Sequence, residues 1–583
     1  MLAFAERWRA GCNAPVVAGC CAVLRGVAMN VVEQQGRIGA RPLMSVLNPV
    51  GYPPKVARKS AASRLESLQG KTIYLVDCRF DDSIELLKQV AAWFSRHMPG
   101  VNTRLVSLSS YYGSDDPRTW EEIKANGDAA ILGVGHCSTC APAVATHAIT
   151  LESKYGVPTV AFHTDKFDKV VRSTAKVQGL AHAPAVFVPQ PVMGKAQAEL
   201  RAYVEGRNPL SGRPVMQEVV EALTRAPEPP VADFDRSTPR LLEPDTEDNL
   251  HRLFLESHWT DTLPIVLPTE DRVAEMLAHT SHPPGKVVGR MQATANRGQW
   301  ELTVEKVAVN AVMAGARPEY FPVVLALAAS NISARSSSSS SASAMVVVNG
   351  PIRHEIGMSC GVGALGPYNH TNATIGRAYG FLSQNGQGGS VVGETYMGSL
   401  GNGYTYNNLT FAENEEKSPW TPLHVGKGYK PEDSTVSIFW GCRSTGFGLG
   451  LRETYWREHV RDMLAGVDAI TAPVLVLDPI AARQFIDRGG YDTKEKLIAW
   501  LHETARMPAA RYWDLQLVQN YVYPRATFGE EPMASKLKAA PDELIPTFDI
   551  RNINVVVVGG EANGYWQILG ATYRTTVSVD AWR

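Results

Sequence analysis

Two cysteines three positions apart, in Gly135-His136-Cys137-Ser138-Thr139-Cys140, are the residues of this chain best suited to covalent chemistry. The reactive form of a cysteine is its thiolate, and unpaired amides at a helix N-terminus favour that form. A spacing of three lets the second sulfur reach the first, so an adduct on Cys137 is resolved internally by Cys140. His136, next to the pair, is expected to take or give a proton, with the hydroxyls of Ser138 and Thr139 orienting a substrate. His147 lies ten residues after Cys137 on the following helix, a poorer position from which to reach it. Two other readings stay open. One is a zinc half-site, for which His136, His147, His163 and Asp165 are the available further ligands. The other is a pair of buried, inert thiols.

Further candidates lie in the second half. Gly366-Pro-Tyr-Asn-His-Thr-Asn-Ala-Thr-Ile-Gly-Arg places His370, Asn372 and Arg377 before or within the first turns of a helix, where polar side chains bind a carboxylate or phosphate. The alternative is a capped helix with a solvated arginine. Cys360 and Cys442 are glycine-flanked and so open to a closely approaching ligand, although a lone cysteine also serves as a small apolar residue. Glu413-Asn-Glu-Glu is expected to be a solvated surface run, with a general base as the alternative. Val558-Gly-Gly-Glu resembles a phosphate-binding turn but lacks the full glycine spacing.

These residues need a scaffold, and its pattern is legible. Thr72–Asp77, Val101–Leu108, Asp128–Gly135 and Pro158–Phe162 read as strands. Asp82–His97 has apolar residues at helical spacing, and a helix is expected over Ala143–Tyr155. Strands alternating with helices imply a parallel, Rossmann-like sheet, whose ligands sit beyond the carboxyl ends of the strands. The cysteine pair follows such an end. Residues 44–205 are therefore expected to form an α/β domain and 206–250, rich in proline and charge, a linker. Residues 251–583 are expected to form a larger α/β region with Gly/Asn-rich loops that admits a division into two subdomains near 345–450. In it Thr303–Ala314, Tyr320–Ala329 and Asp492–Ala505 read as helices. Met345–Val348, Ala472–Leu477 and Asn554–Gly560 read as strands, followed by a closing helix or loop. Ser336–Ser341 is expected to be a flexible loop. Residues 1–43 read as a tail or a mis-assigned start ahead of Met44.

Composition narrows the function. Lysine and arginine number 57 against 58 acidic residues, which gives no reason to expect a nucleic-acid or membrane-surface partner. No apolar run approaches the roughly 20 residues of a bilayer span. Eight cysteines in 583 residues are too sparse for a disulfide scaffold, so a reducing cytoplasm is the expected location.

Asp128–Phe167, with Gly-His-Cys-Ser-Thr-Cys, His147-Ala-Ile-Thr-Leu-Glu and Gly156-Val-Pro-Thr-Val-Ala-Phe-His, resembles the UGSC-type (seleno)protein domain over about residues 70–200. That family is named for selenocysteine or cysteine followed by Gly-Ser-Cys. Cys137 falls where the selenocysteine stands and Cys140 on the second thiol, while Ser138-Thr139 departs from Gly-Ser. The resemblance implies a catalytic thiol, and a position that accepts selenium implies redox or soft-nucleophile chemistry. Trp259–Val273 and Thr303–Gly315 resemble a conserved-hypothetical region fused to such domains.

The expected function is a thiol oxidoreductase or reductive lyase acting on a small molecule, with Cys137 attacking and Cys140 resolving. Its partners would be that substrate and a thiol electron donor, without a cofactor, and a homo-oligomer is an admissible assembly. A redox-neutral hydratase, hydrolase or lyase with Cys137 as nucleophile and a soft-metal-binding protein are the alternatives.

Overall fold

The computed structural model describes residues 42–53, 56–225, 238–292, 299–335, 342–386, 391–393, 396 and 398–583. The expected tail and the serine run at 336–341 therefore lie almost wholly outside the described residues.

The N-terminal unit is built on β1 (Thr72–Asp77), β2 (Asn102–Ser107), β3 (Ala129–Gly135), β4 (Thr159–Thr164) and β5 (Ala185–Val188). All are parallel, in the order β2-β1-β3-β4-β5. The connections carry α1 (Ser83–His97), α2 (Pro117–Asn126), α3 (Cys140–Thr150) and α4 (Asp168–Val177). They are followed by α5 (Gln197–Glu205) and α6 (Val215–Thr224). Helices cover both faces, which is why β3 and β4 are unbroken buried runs instead of alternating ones. Ile73 and Leu75 pack toward α1, α5 and α6, whereas Tyr74 and Val76 pack toward α2 and α3. Because β1 neighbours both β2 and β3, the connections after β1 and β3 leave in opposite directions. The crevice they open lies at the carboxyl ends of these strands, the ligand position of such sheets.

Two expected boundaries move. Val215, Met216, Val219 and Leu223 of α6 belong to the core of the N-terminal unit, so the supposed linker contributes a packed helix first. Residues 44–53, expected in the N-terminal domain, instead pack on the C-terminal unit. Val46 and Leu47 join its core, and Lys306 Nζ donates to Asn48 C=O at 2.7 Å. Burying those apolar side chains outweighs their closeness in sequence to β1.

The C-terminal unit opens with two helices, Glu247–Glu256 and Glu270–Leu277, whose Leu250, Phe254, Val273 and Met276 join its core, followed by a hairpin, β6 (Val287–Gln292) and β7 (Gln299–Thr303). Its centre is a mixed sheet of β8 (Ala344–Asn349), β9 (Thr410–Ala412), β10 (Thr435–Leu449), β11 (Pro473–Leu477), β14 (Asn554–Val557) and β15 (Tyr565–Ser578). The order is β14-β11-β15-β10-β8-β9. Val346, Val348, Val436 and Ile438 on one face pack with α7 (Val304–Met313), α8 (Phe321–Ala329) and α9 (His370–Asn385). Met345, Val347, Phe439, Val474, Val556 and Leu569 fill the other face. The closing segment, expected as helix or loop, is the 14-residue strand β15, and the glycine-dense stretch 349–450 contains the 15-residue β10. Their long antiparallel pairing, interrupted by register shifts at Ile438/Phe439, Trp440/Arg443 and Ser444/Gly446, accommodates glycines that obscure strand periodicity.

Between β11 and β14 the chain forms a small helical cap. β12 (Arg506–Pro508) and β13 (Leu544–Pro546) pair at its base, and α10 (Ala509–Asp514), α11 (Gln516–Tyr521) and α12 (Tyr523–Thr527) rise from it. Met507, Tyr512, Val518, Val522 and Ile545 form its own core. Among the described residues no helix is long and apolar enough to cross a membrane.

Candidate thiol site at the carboxyl ends of the N-terminal strands

β3 delivers Gly135-His136-Cys137 to the crevice, and α3 starts at Cys140 with Thr139 at its N-cap position. The Sγ atoms of Cys137 and Cys140 are bonded as a disulfide. Cys137 Sγ also accepts the Cys140 backbone N–H at 3.0 Å, so one of the helix's otherwise unpaired amides points at the sulfur. Cys140 is 4 % exposed and Cys137 is half-buried. The sulfur is thus at the expected helix start, but it is paired and partly covered instead of free and open.

The pair sits against aromatic rings. Phe80 and Tyr112 share its apolar cluster, with Tyr111 and Tyr521 packed at the edge. Phe80 and Tyr112 lie 4.6 Å apart between ring centres, and Tyr111 and Tyr112 4.2 Å. At the end of β1, the buried Asp77 accepts Ser107 Oγ–H and Arg79 N–H at 2.9 Å each; burial raises its carboxyl above the usual range. These bonds turn the chain so that Arg79, Phe80 and Asp81 face the crevice.

His136 is buried, edge-on to Phe80 at 6.3 Å, and its Nε2 has no hydrogen-bond partner. Burial pushes its pKa down to about 4, so the charged form, the one that would give a proton, is disfavoured at neutral pH. His163, at the end of β4, is also fully buried and held down to about 3; its Nδ1 lies against Gly135. Ser138 is buried, and Thr139 is half-buried. His147 faces away, its Nε2 meeting Tyr112 C=O at 2.9 Å. Among the described residues, no group of three or more His, Cys, Asp or Glu side chains forms a metal-binding cluster.

The candidates from the second half lie elsewhere, and none packs into the cluster around Cys137. His370 is the exposed first residue of α9. Asn372 is buried, with its amide committed to the backbone: Oδ1 accepts Ser359 N–H at 3.1 Å and Nδ2 donates to Ser359 and Ala364 C=O. Arg377 forms a two-pronged pair with Asp261 at 2.7 and 2.8 Å. Cys360 is half-buried and Cys442 fully buried, and burial raises both thiols, Cys442 to about 12. Asn372 and Arg377 thus tie segments of the C-terminal unit together, and the two thiols pack within it. Glu413, expected on a solvated run, is fully buried and paired with Lys494 at 2.9 Å, because Asn349 and Leu423 N–H also donate to it.

Sequence reasoning missed the aromatic surround. Tyr111-Tyr112 directly after β2 carried a signal, since loops at that sheet end face the ligand position. Tyr521, nearly four hundred residues after Cys137, carried none.

Residues 45–224 match the UGSC family. No curated protein and no solved structure matches the chain.

Proposed function

With residues 45–224 constituting a UGSC-type domain, we propose that the chain is a cysteine-dependent oxidoreductase that reduces a small molecule through Cys137 and Cys140. One observation carries the reading: Cys137 Sγ receives the first amide of α3 while bonded to Cys140 Sγ, at the crevice of the parallel sheet. In the reduced protein the Cys137 thiolate attacks a soft electrophilic centre and forms a covalent adduct. The Cys140 thiolate then attacks Cys137 Sγ, the S–S bond forms, and the substrate leaves with two electrons. An external dithiol, itself oxidised to a disulfide, returns both cysteines to thiols. The cytoplasm, where such donors keep thiols reduced, is the fitting compartment.

Trapping with glutathione disulfide tests this. Reduced Cys140→Ser should accumulate a glutathione adduct on Cys137, seen by intact mass and peptide mapping. Reduced wild type should pass to the intramolecular disulfide and keep no adduct. Equal labelling of Cys137→Ser and Cys140→Ser, or wild type that stays a dithiol, would overturn the proposal. A stable adduct on wild-type Cys137 that Cys140 never displaces would favour redox-neutral covalent chemistry.

A further inference from the structure

The helical cap of the C-terminal unit closes over the thiol site. The Asp81 carboxylate, just after β1, accepts hydrogen bonds from the side-chain amides of Gln516 and of Asn520, the latter at 3.0 Å. The Arg79 guanidinium stacks over the Phe528 ring, 4.9 Å from its centre. Tyr521 packs at the edge of the cluster containing Cys137, its ring 6.2 Å from Tyr112, and its hydroxyl meets those of Thr139 and Tyr112. Thr139 stands between the two cysteines, so the cap grips the redox turn itself. Three separate contacts thus tie α11 and the end of α12 to the loops after β1, β2 and β3.

We propose that this cap is the specificity element of the thiol site, admitting small-molecule substrates and reductants to Cys137 and excluding protein thiols and disulfides. The inference rests on the redox reading above. Exchange needs the incoming sulfur, the attacked sulfur and the leaving sulfur nearly in line, with the partner close behind. Cys140 is covered, so an incoming thiolate attacks Cys137 Sγ and displaces the Cys140 thiolate, which takes a proton from solvent. The second thiol of the reductant, losing its proton, attacks its own sulfur in the mixed disulfide and releases Cys137. Cys137 is half-buried and so stays open to a small dithiol, whereas a folded protein carrying its own backbone does not reach it until the cap lifts.

The test compares reduction of the oxidised full-length protein by dithiothreitol and by a thioredoxin, followed by quenching and intact mass. Cap-loosening variants are Asp81→Ala, which removes both acceptors, and Gln516→Ala, a surface change that tolerates failure of the first to fold. In Gln516→Ala the ratio of thioredoxin rate to dithiothreitol rate should rise about tenfold, the shift in opening expected from losing one hydrogen bond to a charged group, and in Asp81→Ala, which loses two, it should rise further. A ratio unchanged in both variants, or wild type reduced by thioredoxin as fast as by equimolar dithiothreitol, overturns the proposal. The ratio cancels the intrinsic reactivity of the pair, so it succeeds or fails independently of glutathione trapping.

Discussion

Gly135 is where the strand that ends in the thiol turn comes closest to its neighbours. A Cβ added there would stand 2.1 Å from His163 Nδ1, 2.7 Å from His163 Cε1 and 2.8 Å from the Ala141 Cα. Carbon contacts settle at about 3.5–4.0 Å. Relief therefore needs both the imidazole to retreat by more than about 1 Å and β3 and the first turn of α3 to separate by about 0.7 Å. His163 is fully buried, and Ala141 is backbone in a helix whose start holds Cys137, so neither moves freely. Overpacking of this kind costs about 1–3 kcal/mol, and two blocked directions place Gly135→Ala at the upper end. For a unit of this size each kcal/mol lowers the melting point by about 2–4 °C, which gives a drop of about 6–12 °C. Gly133→Ala, two residues earlier, is the internal control. Its Cβ meets Phe162 and Leu87 at 3.4 and 3.5 Å, ordinary or barely tight contacts. Calorimetry of oxidised wild type and both variants measures the difference. A Gly135→Ala transition within a degree of wild type, or Gly133→Ala losing as much, refutes the close-approach reasoning.

Other outcomes follow from the buried charges. His136 and His163 are held at about 4 and about 3, below the ordinary value of 6.5, so the unfolded chain binds more protons as pH falls. Stability present above pH 6.5 should be lost on acidification, by about 3 kcal/mol between pH 6.5 and 5 for the two together. Urea titrations at several pH values should show this, and His163→Gln should halve the slope; a flat profile contradicts it. Lys494→Met leaves the Glu413 carboxylate buried without its cation and should cost about 3–5 kcal/mol. Adding Glu413→Gln should recover most of that loss, as read by melting of the C-terminal unit. Asn372→Ala should destabilise that unit by about 1–3 kcal/mol, because Ser359 N–H loses its acceptor. Glutathione trapping at Cys137 should be unchanged in this variant, whereas a substrate-binding role near the cysteines would slow it.

Local pattern alone carried β1 to β4, α1 and α3 of the N-terminal unit, but not β5 or the other helices. Thr72–Asp77 is a strand because its run of apolar and β-branched residues is bounded by polar turns, and the sheet buries it on both faces. Cys137 and Cys140 were legible for the same reason: a strand ending in glycines, a short loop and a helix are all encoded within a dozen residues. The long strands β10 and β15 were not, because their glycines and threonines gain strand character only from each other across more than a hundred residues of chain. His370, Asn372 and Arg377 showed the right chemistry at a helix start, but only the fold determined that Asn372 braces the Ser359 loop and Arg377 holds Asp261.

What the sequence determined by itself is a dithiol turn at the carboxyl end of a parallel sheet, since propensity and spacing act over neighbouring residues. Tertiary structure alone decided which surfaces that turn meets. Tyr521 reaches it, and Gln516 and Asn520 reach Asp81 beside it, because the cap folds on its own core and is set down against Asp81 and Thr139. Packing between segments hundreds of residues apart depends on the shape of both finished units, and no local pattern contains that shape.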